Sequence, residues 1–139
     1  MNNNELTTAP NLSVYNAKVD LVEVRRDAQK YPRIEATEIN EARDKMYSLV
    51  FAAYLYRGQE ATPSTMRFVS NSLVAEILAD KTFGLKKLSW LEIGMTIRAA
   101  VLNTGKEFYG VSVATLYGAL VDYVKNEGHE AERKAHYNK

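Results

Sequence analysis

Apolar residues recur along this chain at helical spacing, and no run alternates in the period-two manner of strands. From about Asp20 to Lys30, Leu21, Val22 and Val24 mix with Glu23, Arg25 and Arg26 before Tyr31-Pro32 closes the segment, which predicts a short helix. A second segment opens at Thr37 as its cap and runs through Ala42, Met46, Leu49, Val50 and Ala53 to a stop at Gly58. Its half from Met46 to Tyr56 is apolar or aromatic almost all the way round, which predicts a core helix. Thr62-Pro63, a cap followed by proline at the first helical position, begins a third helix carrying Met66, Val69, Leu73 and Ile77. Ser89-Trp90-Leu91-Glu92 reads as a capping box before Ile93, Ile97, Ala100 and Val101, with a stop near Asn103 to Gly105. Ser112 caps a last helix whose inner stripe is Val113, Leu116, Tyr117, Leu120 and Val124, ending around Asn126 to Gly128.

The expected fold is therefore all-α: a compact four- or five-helix bundle around a buried central helix at about residues 38–57. Residues 1–12 read as a flexible N-terminal tail, residues 13–127 as a single helical domain and residues 128–139 as a charged C-terminal tail. With 139 residues, 46% of them hydrophobic and 25% charged, the chain is large enough for one core and lies outside the disordered range.

Zero cysteines exclude a disulfide framework, thiolate metal sites and a cysteine nucleophile. His129 and His136 are the only histidines and stand in the tail, so neither a metal site nor a serine–histidine enzyme is expected; the reading is non-enzymatic and needs no cofactor. Asn103-Thr104-Gly105-Lys106 contains the Gly-Lys of a phosphate loop, but Ala100 stands at the earlier glycine position and Glu107 replaces the hydroxyl residue that would hold magnesium. Glu35, Glu38 and Glu41 lie where acids favour the start of a helix dipole, which accounts for them without chemistry. The tyrosines Tyr47, Tyr54, Tyr117 and Tyr123 belong to apolar stripes, with the ring packed and the hydroxyl expected to reach outward. No stretch approaches the ~18 apolar residues of a membrane span and the first residues lack a signal-peptide pattern, so a cytoplasmic protein is expected.

Lys and Arg number 18 against 17 Asp and Glu, so no overall field draws the protein to a polyanion and nucleic-acid binding would need a local patch. Lys86, Lys87, Arg98, Lys106 and Thr115 are the candidates for such contact. The outer side of the last helix presents Ala114, Gly118, Ala119 and Asp122 and no positive charge. Its small residues permit another helix to approach, either within the chain or as an interface to a protein partner or a second copy.

The run Gly110-Val111-Ser112-Val113-Ala114-Thr115-Leu116-Tyr117 resembles the turn and opening residues of the recognition helix in helix-turn-helix repressors. A wider pattern comprises Leu88-Ser89-Trp90-Leu91-Glu92-Ile93, Ile97-Arg98, Gly105 to Ser112, Thr115-Leu116-Tyr117, Leu120 and Tyr123. Over about residues 63–125 it resembles small helical proteins carried by phages, prophages and mobile elements of gut bacteria. That resemblance implies an accessory role in DNA replication or helicase loading, through a protein partner, DNA or both, and transfers no catalytic residue.

Overall fold

A computed structural model describes residues 21–27, 29–103 and 108–128. Among them the chain is helical, with helices α1 (Leu21–Arg26), α2 (Ile39–Arg57), α3 (Pro63–Ala79), α4 (Trp90–Leu102) and α5 (Val113–Tyr123). Short 3₁₀ turns at Ile34–Ala36 and Leu85–Lys87 interrupt the connections, and α5 runs on into a π-helical turn, Val124–Gly128. The expected N-terminal tail, residues 1–12, lies outside the described residues, as does the expected C-terminal tail, residues 128–139, apart from Gly128 at the end of the π-helical turn.

The local signals act much as the sequence implies. Thr62 Oγ1 accepts from the Thr65 amide at 3.1 Å with Pro63 in the first turn, and Ser89 and Glu92 form both bonds of the capping box. At α2 the cap moves by one residue: Glu38, not Thr37, accepts the Glu41 amide at 3.0 Å. Thr37 is drawn away by one local and one tertiary bond, donating to the Arg33 carbonyl and accepting from the Trp90 indole, each at 2.9 Å. The backbone amides of Asn40 and Glu41 hold the Glu38 carboxyl below its ordinary value. Gly58 ends α2 at φ 64°, a left-handed conformation that favours glycine.

The four long helices form a ring: α2 packs on α3 and α4, and α5 packs on α3 and α4. Helices α3 and α4, consecutive in sequence, therefore sit diagonally across the bundle. Their connection crosses one end of it and plugs that end with Leu85 and Leu88, both buried. The segment before α2 lies over this plug, tied by an antiparallel bridge between Arg33 and Ser89 and by bonds from the Ile34 amide to the Leu88 carbonyl and from the Trp90 amide to the Pro32 carbonyl.

The expected buried central helix is α2, which supplies Ala42, Met46, Val50, Ala53 and Tyr54 to the core but stands as one wall of the ring rather than at its centre. Its burial follows from contact with α3 and α4 on one side, while Leu55 on the other stays 65% exposed. Opposing faces supply Leu73 and Ile77 from α3, Ile93 and Ile97 from α4, and Leu116 and Leu120 from α5, all essentially inaccessible to water. Burial of such side chains, at about 1.5–3 kcal/mol each, is the main force holding the ring closed. Among the described residues no helix is long and apolar enough to cross a membrane.

Candidate interface groove between α4 and α5

Helix α5 carries two tyrosines on its inner side, and each finds a buried carboxylate. Tyr123 donates to Glu92 Oε2 at 2.5 Å, and the same oxygen accepts from Arg25 Nη1 of α1 at 3.2 Å. Glu92 Oε1 accepts the Ser89 amide at 3.1 Å, so a side chain only 2% exposed is bonded at both oxygens. The capping motif identifies Glu92 in the sequence; its partners 67 and 31 residues away do not follow from it.

Tyr117 donates to Asp80 Oδ1 at 3.4 Å. Burial pushes the Asp80 carboxyl up, but the amides of Leu85, Thr82, Phe83 and Gly84 outweigh it and hold the group below its ordinary value. Burial first, and then the Asp80 charge, push the Tyr117 hydroxyl up. Tyr54 donates to the Val111 carbonyl at 3.3 Å, and burial raises its hydroxyl too. The expectation that these hydroxyls reach outward is thus corrected at Tyr54, Tyr117 and Tyr123, because inward acceptors lie within reach.

The segment leading into α5 is bonded just as tightly. Gly110 adopts φ 112°, and a Cβ there would lie 2.9 Å from Gln59 Oε1. Gln59 grips the next residue at both ends, accepting the Val111 amide at 2.8 Å and donating to its carbonyl at 3.3 Å. Ser112 and Thr115 form a reciprocal cap, and the Thr115 hydroxyl also donates to the Gly110 carbonyl at 2.7 Å. Of the residues that resemble a recognition-helix start, all but the exposed Ala114 are therefore engaged in anchoring or packing α5. Helix α4 ends at Leu102 and α5 begins at Val113, a much longer separation than the three or four residues of a helix-turn-helix turn.

The Glu92–Tyr123 bond sets α4 and α5 antiparallel, and a groove of ≈ 470 Å³ runs between them. Thr96, Ala99 and Ala100 form one wall, and Ala114, Gly118, Ala119 and Asp122 form the other. Glu92, Tyr123 and Asn126 close one end; Asn103, Phe108 and Tyr109 stand at the other, with Tyr109 82% exposed. A Cβ added at Gly118 would meet nothing within 4 Å, so this small residue is not required by packing within the described chain. All four residues of the candidate protein-contact face thus line one concavity.

The candidate nucleic-acid residues do not gather there. Lys86 and Lys87 are exposed on the 3₁₀ turn before α4, and Arg98 is half-buried on α4 outside the groove lining. Thr115 lines the groove but its hydroxyl is committed to the cap, and Lys106 lies outside the described residues. Among the described residues the groove has no lysine or arginine. No cluster of three or more metal-ligating side chains occurs among them, and His129 and His136 lie beyond them.

A second concavity, ≈ 690 Å³, lies at the α2–α3 elbow, lined by Phe51, Tyr54, Leu55, Gln59 and Met66 among others. Its Tyr54 and Gln59 are taken up in holding Val111 and its Thr62 in capping α3, which leaves the exposed Glu60 beside the apolar residues of a structural joint. The α4–α5 groove instead runs between two helices and is lined by Ala99, Ala100, Ala114, Gly118 and Ala119, which leaves room for a partner helix along its length. Comparison with known protein families, with curated proteins and with solved structures found no match.

Proposed function

We infer that this protein is a non-enzymatic accessory factor that works by holding a protein partner in the α4–α5 groove. The observation that carries this reading is the open space over Gly118, flanked by Ala114 and Ala119, in a concavity that the described chain does not fill. Two helices separated by such a groove offer the surface into which a third helix lays its face. The sequence resemblance suggests the setting, DNA replication or related transactions of a phage or mobile element.

A photo-cross-linking residue at Ala119, compared with one at the exposed Ala75 of α3, tests the reading in native host cells. The expected result is a discrete heterologous product from Ala119 only, lost when Gly118→Leu fills the groove. Equal products from both positions, or none, would overturn it. A product of twice the chain's mass would instead support self-association through the same small-residue face, the main alternative.

Direct DNA contact is a separate reading that rests on exposed Lys86 and Lys87, together with the half-buried Arg98 of α4. Joint replacement of Lys86, Lys87 and Arg98 by alanine should then weaken a salt-sensitive DNA affinity. Unchanged affinity would remove DNA from the proposal and leave the groove reading intact.

A further inference from the structure

We propose that the occupant of the α4–α5 groove is a basic amphipathic helix, docked with its small or apolar stripe over Gly118 and a lysine or arginine against Asp122. This rests on the groove reading and adds the partner's chemistry. The two charged residues lining the groove are both acidic, Glu92 and Asp122. They differ in what they have left to offer.

Glu92 is already neutralised by Arg25 and bonded by Tyr123 and Ser89. Asp122 is exposed and has no ion-pair partner among the described residues. A cation on the occupant complements Asp122, whereas a phosphate backbone brought to the same wall would meet an exposed carboxylate and no lysine or arginine among the described groove residues. At the opposite end Phe108 and the largely exposed Tyr109 offer aromatic surface, so the groove is polarised from acidic to aromatic. An amphipathic helix with a cation near one end and an apolar residue near the other matches that gradient, and the gradient fixes its direction. Ala114 and Gly118, four residues apart on one helix face, let the two backbones come close enough for the occupant to reach both walls.

Two synthetic probes test this: a helical peptide of about 15 residues, roughly four turns, with alanine and leucine on one face and lysines flanking it, and its counterpart with glutamates in place of lysines. Fluorescence anisotropy measures binding to the full chain, and amide chemical shifts of Ala99, Gly118 and Ala119 locate it. The lysine peptide should bind on the order of ten-fold more tightly than the glutamate peptide, and Asp122→Lys should invert that preference. Asp122→Asn, which keeps the side chain's shape, should bring the two peptides close together. Binding of neither peptide, equal binding of both, or shifts of these same residues on adding duplex DNA without peptide would overturn the proposal. Equal binding that Gly118→Leu still abolishes would overturn the charge assignment alone and leave the groove reading standing. Loss of groove cross-linking at Ala119 would instead remove the reading beneath it.

Discussion

The two sides of α5 are built on opposite principles. Its inner side, Leu116, Leu120, Tyr117 and Tyr123, is committed twice over, by burial and by hydroxyl bonds to the carboxylates of Asp80 and Glu92. Its outer side, Ala114, Gly118, Ala119 and Asp122, lines a groove, and at Gly118 a Cβ would touch nothing within 4 Å. A helix spends its stabilising contacts on one face, and the other is free to be shaped for something outside the chain. The difference teaches where to look for function: at side chains whose identity the fold does not require.

The sharpest way to break this contrast is Leu120→Ala, which removes a fully buried side chain and should cost about 2–5 kcal/mol in denaturant unfolding. A loss well under about 1 kcal/mol would mean that the inner face is not the fastening side. Next, Glu92→Ala should cost about 3 kcal/mol, because it strips the capping box and leaves Arg25 and the Tyr123 hydroxyl without their acceptor. Tyr123→Phe should lose only about 1–2 kcal/mol, since Glu92 keeps Arg25 and Ser89.

Asp80 gives a smaller effect that depends on pH. Its folded value lies below the ordinary 3.8, so its contribution is complete above that value and is lost as pH falls through the folded one. Between about pH 5 and about pH 2 the wild-type melting temperature should therefore fall more steeply than that of Asp80→Asn. Parallel curves would show that the turn's amides do not favour the charged form.

The smallest effect has the opposite sign. Gly118→Ala should raise stability by about 0.5–1 kcal/mol, because alanine is the better helix former and its methyl group meets no neighbour. A destabilising result would place an unseen contact over Gly118 and undo the distinction between the two faces.

Local chemistry alone marked out the helices, through Thr62-Pro63, the Ser89–Glu92 box, Gly58 and Ser112, because capping and periodicity depend on residues within a few positions. Periodicity also placed Gly118, Ala119 and Asp122 on the outward side of α5, since a regular helix turns 100° per residue wherever it packs. The same reasoning could not show that Thr37 yields the cap to Glu38, because Trp90 reaches it from 53 positions away. Nor could it find the tyrosine–carboxylate pairs, whose members come together only when the ring closes.

What the sequence by itself determined is which segments coil, which side of each is greasy and which chemistries lack the necessary side chains. Only the tertiary structure decided that α3 and α4 stand diagonally, that Glu92 meets Arg25 and Tyr123, and that α4 lies beside α5 to make a groove of their small residues. The physical reason is range: hydrogen bonds within a turn are written in neighbouring residues, whereas the pairing of faces depends on how all the apolar stripes are buried at once.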